Sequence, residues 1–446
     1  MSLPRGPKTS SFVQTTQFFL RPLETLDVWH QDYGDTFRVL GNELPATIFF
    51  SNPEAIEKIF TASPEYLKST QSNNLLKSLL GDNSLLSLSG EQHERQRRML
   101  LPPFHSERMH DYSQIICAIT EEVISEWTPG KIFVVHSVMK EISVRVILNI
   151  VFGLQMGDRY NHLRQLLISL FDIFHHPLNS ILLPFLLVLQ KKSGLWSMGG
   201  NFIVQLQQID QLVYALIAER KVQCNSMHKD ILAMLLEVRD ESGKPMTETE
   251  LRDSLLTLVF AGYETTSAAL SWALYWSCYL PEVHKKLLAE LNCFTPASNK
   301  SEIARLPYLS AICSETLRLY PISLMPFSRF VRKPMEIMGY RLEPETVVNV
   351  SIYLAHQREE VYPEPKRFNP ERFLERQFSP YEYLPFGGGN RRCIGAALAQ
   401  LEIKLVLATI LSRLQLALVT PRSMKPVRRG LIMVPPNFEM VVTGVR

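Results

Sequence analysis

Apolar residues recur at three- and four-residue spacing through the middle of the chain, and that period predicts helices over residues 112–127, 138–151, 159–174, 202–223 and 229–239. A shorter amphipathic helix is expected earlier, over 22–33. Alternation then replaces the helical period: Phe37-Arg38-Val39-Leu40 and Thr47-Ile48-Phe49-Phe50 flank a turn region opening with Gly41-Asn42, the pattern of a hairpin. Asn52-Pro53-Glu54-Ala55 starts another helix, with proline in the first turn, where its missing N–H is no loss. Thr247-Glu248-Thr249-Glu250 caps a long helix that runs to about residue 280, where Pro281 follows. Strand-like Thr346-Val347-Val348-Asn349-Val350 and an alternation after Gly430 add a small β region. The fold class expected is mainly α with small β-sheets.

Two stretches admit two readings each. Residues 70–89 carry Leu75, Leu76, Leu79, Leu80, Leu85 and Leu86 among Ser, Asn and Gly. They form either a loop pinned to the core by its leucines or a flexible lid over an apolar pocket. Residues 177–195 contain an apolar run from Ile181 to Leu189 interrupted by Pro184. That run is either a buried helix broken at the proline or a hydrophobic rim for substrate entry, in reach of a membrane.

Composition narrows the classes. With 46% hydrophobic and 20% charged residues, the 446-residue chain can bury a sizeable core. A net charge of +3, with no dense Lys/Arg run, makes no case for nucleic acid. Six cysteines, at 117, 224, 278, 293, 313 and 393, show no C-x-x-C or framework spacing, which fits a reducing compartment. Met1-Ser2-Leu3-Pro4-Arg5-Gly6-Pro7-Lys8 is polar and proline-broken, unlike a signal peptide, and the Ile181 to Leu189 run is too short to cross a bilayer. A soluble, cytoplasmic protein is the expectation.

The chemistry concentrates in Phe386-Gly387-Gly388-Gly389-Asn390-Arg391-Arg392-Cys393-Ile394-Gly395, which opens the apolar run Ala396-Ala397-Leu398-Ala399. Three glycines let the backbone turn tightly and approach a flat partner. A cysteine at a helix N-terminus lies near unpaired N–H groups, an environment that favours thiolate. By itself, a lone cysteine before an apolar helix is usually a buried structural residue. Here Phe386, Gly389, Arg391, Cys393 and Gly395 together match Phe-x-x-Gly-x-Arg-x-Cys-x-Gly, and the segment resembles the haem-binding loop of the cytochrome P450 family. The resemblance extends from about residue 22 to 446, with the family's motifs in their expected order.

The resemblance assigns roles elsewhere. Cys393 would be the iron ligand of haem b (iron protoporphyrin IX), which would lie between a long central helix and the cysteine-bearing loop. His93 and Arg97, four apart on one helical face, match the family's pair for haem propionate, as Arg329 and Arg391 do for further propionate contacts; alone, His93 and Arg97 read as a solvated basic face. Arg95 and Arg98 would then point outward. Phe386, Gly395 and Ala261 would touch the cofactor, and His356 either adds a polar contact near it or is a satisfied core histidine. Ala261-Gly262-Tyr263-Glu264-Thr265-Thr266 resembles the family's oxygen-binding motif, with Thr265 and Glu264 as the alcohol and acid that pass protons toward O2. The stripe Leu258, Ala261, Gly262 and Thr265 turns small where a flat cofactor needs room, and Gly262 followed by hydroxyls suits a local kink. Glu315 and Arg318, three apart, with Arg372 from Pro370-Glu371-Arg372-Phe373, would form a structural Arg-Glu-Arg clamp.

The activity implied by the resemblance is that of a monooxygenase, inserting one oxygen atom of O2 into a lipophilic small molecule such as a fatty acid, terpenoid or steroid. The pocket is expected from Leu85, Leu86, Phe171, Leu258, Met325 and Leu431. Residues 1–446 would be a single haem domain with 1–21 as an N-terminal extension lacking a membrane anchor, and a monomer is expected. No glycine-rich dinucleotide fingerprint is present, so electrons would come from a separate ferredoxin or flavodoxin with its reductase. Arg392, Arg95, Arg98 and Lys404 would form either its basic docking patch or an ordinary solvated charge cluster. The overall pattern looks most like bacterial, and within these cyanobacterial, members. A non-catalytic haem-thiolate sensor would keep the ligand without needing Glu264 and Thr265, and a haem-free helical binding protein would need neither.

Overall fold

A computed structural model of the chain describes residues 3–40, 47–69, 74–175, 199–222, 229–292 and 300–446. The Gly41-Asn42 turn, the apolar segment 177–195, Cys224 and Cys293 lie outside them. The helices anticipated from the apolar period are present as Pro22–Tyr33, Ser106–Ile124, Val135–Phe152, Asp158–His175, Gly199–Val222 and Ile231–Glu237. The strands Thr36–Val39 and Thr47–Phe50 pair antiparallel, as a hairpin requires. Among the elements that escaped the pattern are two short helices. Ser11–Leu20 is a helix tied down by Gln14, which is fully buried and accepts from the Leu40 amide at 2.8 Å, so residues 3–21 are packed against the body. Asn74–Leu80 is a helix inside the stretch read as a loop, because its leucines recur at four-residue spacing despite the polar neighbours.

The Glu248–Tyr279 helix is the axis of the molecule. Its start is a reciprocal capping box: the Glu250 amide donates to Thr247 Oγ1 at 3.2 Å, and the Thr247 amide donates to Glu250 Oε2 at 2.8 Å. It packs against the Val135–Phe152 helix on one side and the Ala396–Arg413 helix on another, the latter also lying on Ser106–Ile124. The helix runs as unbroken α through Gly262. To one side sits a five-stranded sheet, in the order Thr36–Val39, Thr47–Phe50, Val347–Val350, Arg329–Val331, Leu67–Ser69. A three-stranded sheet unites Ile132–Val134, Glu439–Val445 and Leu414–Leu418, and the Val427–Arg429 and Ile432–Val434 strands form a separate hairpin.

Two buried carboxylates show how the helices are fastened. Glu315, fully buried, accepts from Arg318 Nε at 2.6 Å and Nη2 at 2.9 Å, from Arg372 Nε at 3.1 Å and from the Asn369 amide at 2.8 Å. Arg318 also donates to the carbonyls of His356 and Pro365, at 2.7 and 2.9 Å. The Pro307–Leu319 helix thereby grips the irregular stretch leading to the cysteine loop. Glu402, on the Ala396–Arg413 helix, has a different solution. It takes one hydrogen bond, from Ser143 Oγ at 2.7 Å, and burial pushes its carboxyl up to about 8, so it is protonated at neutral pH.

Glu315→Ala should destabilise the fold by about 3–5 kcal/mol, since it strands two buried guanidiniums, and denaturant unfolding or the yield of folded protein measures this. Glu402 carries a pH signature. Unfolded, its carboxyl loses its proton above its ordinary value of 4.5; folded, it keeps it until about 8, so stability falls as pH rises through that window. Glu402→Gln should remove that slope, and paired urea titrations at pH 5 and pH 8 (about these values, chosen to bracket the window) check it.

Candidate functional site

The central helix is buried along most of its length and opens at one place: Ala261 is exposed, with Gly262 and Thr265 half-buried, although Tyr263, Glu264 and Thr266 between them are buried. This is a window onto interior space in the middle of a core helix. Thr265 Oγ1 donates to the Ala261 carbonyl at 2.6 Å, which parks the hydroxyl at the window's edge. Gly262 serves a purpose other than the expected one. A Cβ there would lie 2.9 Å from Ile147 Cδ1, so the glycine makes room for the neighbouring helix, and Ala261 is the small residue facing the window. Glu264 meets the same neighbouring helix from its other flank. Its Oε1 lies 3.7 Å from Lys140 Nζ on the Val135–Phe152 helix, so the acid and the alcohol occupy different faces.

The cysteine loop is folded by glycines that nothing else could replace. Gly387 and Gly389 have φ of +68° and +64°, and a Cβ on Gly389 would come within 2.8 Å of the Phe60 carbonyl oxygen. The Cys393 amide donates to the Phe386 carbonyl at 2.9 Å and closes the loop. Cys393 is exposed, yet burial is the main influence on its thiol and raises its pKa, while the Gly395 amide, Arg97 and Arg392 pull it down. The sulfur thus sits in a recess, reachable from open space and walled by protein. The helix itself starts three residues on, at Ala396, and the Gly395 amide just ahead of it favours the thiolate against the opposing effect of burial.

Beside the recess, cations converge. His93 and Arg97 come from the Gly90–Leu100 helix, Arg329 from the Arg329–Val331 strand inside the five-stranded sheet, and Arg391 from the cysteine loop. Arg391 donates to the carbonyls of Leu85 (2.9 Å) and Leu88, and through Nε to Ser69 Oγ at 3.1 Å. Arg329 reaches the same Ser69 Oγ at 3.3 Å and the Phe327 carbonyl at 2.6 Å. Among the described residues, no carboxylate pairs with Arg97, Arg329 or Arg391. Burial brings Arg329 down to about 10; burial, then Arg329 and Arg97, does the same to Arg391. His93 is held down to about 3 by burial and then by Arg391, Arg97 and Arg329, and it stays neutral. Elsewhere buried arginines such as Arg318 and Arg252 have acidic partners. Here three guanidiniums, two buried and that of Arg97 half-buried, surround a space with an uncompensated positive potential, which fits a group carrying two carboxylates.

The remaining candidates scatter. Leu85 and Leu258 are buried in one cluster with Leu86 against it; Met325 packs near Trp29 and Phe37; Leu431 stands 62% exposed at the hairpin tip. Phe171 falls on the Asp158–His175 helix, with its side chain outside the described part. His356 is the satisfied core histidine and has no free edge for a cofactor. It is fully buried, with Nδ1 3.2 Å from the Arg318 carbonyl and Nε2 accepting from the Leu384 amide at 3.0 Å. Arg95 does not point freely outward; it is bound by Asp240 and Glu250 at 2.8 and 2.6 Å, and Arg98 by Glu241, which leaves Arg392 and Lys404 of the supposed basic patch. Sequence reasoning missed Phe60, on whose backbone the glycine loop rests, and Ser69, which joins two arginines; neither sits in a motif or a distinctive spacing.

A family model described as Cytochrome P450 matches residues 4–442. Among curated relatives, cytochrome P450 135B1 of Mycobacterium tuberculosis is 35% identical over 436 residues, covering 98% of this chain and 90% of the relative. Cytochrome P450 135A1 of the same organism is 31% identical, covering 97% and 93%. Among solved structures, retinoic acid bound cyanobacterial CYP120A1 matches with a TM-score of 0.83 at 23% identity, over 99% of both chains. The haem domain of cytochrome P450DA matches at 0.86 and 21% identity, covering 100% of this chain and 98% of that one. At these identities the two structures speak to fold alone.

The glycines separate two kinds of obstruction. Gly389→Ala should cost about 1–3 kcal/mol, because it meets both a left-handed φ and the Phe60 carbonyl, and Phe60→Ala should not rescue it. Gly388→Ala meets the Phe60 ring and should be relieved by that same second substitution; thermal melts of the four variants decide.

Proposed function

This chain belongs to the cytochrome P450 family, which makes it a haem monooxygenase, and we propose that its cofactor is held by Cys393 on one side and by the cations around Arg329 on the other. The observation that carries the reading is the group of three enclosed guanidiniums without carboxylates, set beside a recess that contains one thiol. The two propionates of a haem match that charge, with His93, Arg97, Arg329 and Arg391 as their partners. Haem b is the type inferred, since the sequence has no C-x-x-C-H motif for covalent attachment. Phe386 and Gly395 would pack on the proximal side, and Ala261 leaves space on the distal side. Bound there, the haem supplies a thiolate-ligated iron able to activate O2 and oxidise a C–H bond or a C=C bond.

The chain's own part is orientation, dryness and proton supply. Thr265 holds a hydroxyl proton at the window, one bond rotation away from the Ala261 carbonyl it now serves. Glu264, beside Lys140 on the adjoining face, is the acid from which protons reach Thr265 through water. Of the apolar residues expected at the pocket, Leu85, Leu86 and Leu258 lie in one cluster, and an apolar wall of this kind suits a fatty acid, terpenoid or steroid. Electrons would come from a ferredoxin or flavodoxin with its reductase, docking near Arg392 and Lys404. Residues 1–446 act as one haem domain. Among the described residues, no helix is long and apolar enough to cross a membrane.

The test pairs a spectrum with a reaction. Reduced, CO-treated protein should give the thiolate type of Soret band, and Cys393→Ala should lose it. Thr265→Ala should keep the spectrum and substrate binding while diverting most reducing equivalents into hydrogen peroxide, measured as peroxide formed per NADPH consumed. Full coupling in that variant would overturn the proton-relay assignment.

A further inference from the structure

We propose that Asp253 is a positioning residue which locks the 81–88 segment onto the central helix, making that segment a fixed wall of the substrate pocket. The inference rests on the monooxygenase reading above and adds to it what sets the pocket's shape. Asp253 is 2% exposed and lies two turns before the window. Its Oδ2 accepts from both the amide and the side-chain Nδ2 of Asn83, at 3.0 and 3.1 Å. Its Oδ1 accepts from Arg252 Nη1 at 3.0 Å. Arg252 in turn donates from Nε and Nη2 to Asp210 Oδ1 on the Gly199–Val222 helix, at 2.7 and 2.5 Å. One polar chain therefore ties three elements, with both oxygens of a buried carboxylate in use.

Three further contacts make the lock tight. Gly81, at φ +89°, lies so close to the Asp253 carboxylate that a Cβ there would collide with all three of its outer atoms. The Thr257 and Ser84 hydroxyls are hydrogen-bonded to each other at 2.7 Å, one helical turn further on. At the other end, Arg391 holds the carbonyls of Leu85 and Leu88. Leu85 and Leu86 are thus pinned between an anchor on the central helix and an anchor on the cofactor's own cradle. Moving this wall outward would leave a buried carboxylate short of donors, a costly state. The flexible-lid reading of residues 81–88 gives way to the pinned one.

Two azoles separate the wall from the cofactor. Imidazole reports access to the iron alone, whereas 1-dodecylimidazole also lays a long alkyl chain against the pocket; both are titrated by Soret shift on the haem-loaded protein. Asp253→Ala should weaken 1-dodecylimidazole by roughly tenfold, the loss of one or two buried hydrogen bonds, and leave imidazole within about twofold. Asp253→Asn, which keeps a carbonyl acceptor for the Asn83 amide, should stay near wild type. Asn83→Ala, which leaves the Arg252 pair intact, should show a smaller loss in the same direction, and it serves if Asp253→Ala folds poorly. An unchanged alkyl probe, or equal weakening of both azoles, overturns the proposal. A wild-type protein without the thiolate CO spectrum overturns the parent reading, and this one with it.

Discussion

Positive charge enclosed without a counter-charge is the constraint on which this structure depends. Arg97, Arg329 and Arg391 are brought from a helix, a strand and a loop to one place, and their mutual repulsion and desolvation are met by no acid among the described residues. A fold assembles such a cluster only when something anionic completes it, because isolated buried charges are otherwise too costly. The Glu315 cluster is the internal comparison. There two arginines share one carboxylate and several carbonyls, and the set is balanced within the chain. One group is finished by the protein; the other, on the reading proposed above, would be finished by the propionates of the cofactor.

The central helix serves both tasks by assigning its faces. Toward the recess it presents Ala261 and Thr265; toward the Val135–Phe152 helix it presents Gly262 and Glu264. Neighbours in sequence therefore do unlike things, since a step of one residue turns the side chain through about 100°. Further back, Asp253 and Thr257 use the same helix to hold the 81–88 segment, so the proposed pocket wall and the proposed proton relay share one support. The Arg391 contacts link that wall to the cysteine loop. The proposed cofactor cradle and the proposed pocket wall are thus joined by hydrogen bonds.

Much of this was legible in the residues themselves. The spacing around Cys393, the Thr247 to Glu250 cap and the Glu315–Arg318 step are local patterns, and local geometry obliges them to recur wherever the residues stand in that order. The Pro22–Tyr33 helix and the strands flanking 41–46 followed from periodicity for the same reason. Short helices rich in polar residues, Ser11–Leu20 and Asn74–Leu80, did not, because tertiary packing and not propensity stabilises them.

Sequence by itself determined the family, the thiol and the identities of the cations, since each belongs to a short motif whose spacing carries its meaning. Only tertiary structure decided whether those groups were paired. Arg95 looked as free as Arg97, yet Asp240 and Glu250 neutralise the first, while the second faces the recess without an acid. His356 could be read as a cofactor contact or as a satisfied core histidine, and its ties to Arg318 and Leu384 make it the second. Gly262 looked like room for a flat ring and proved to be room for Ile147. The reason is common to all three: a side chain's partner comes from a distant part of the chain, and no local pattern records which distant residue arrives.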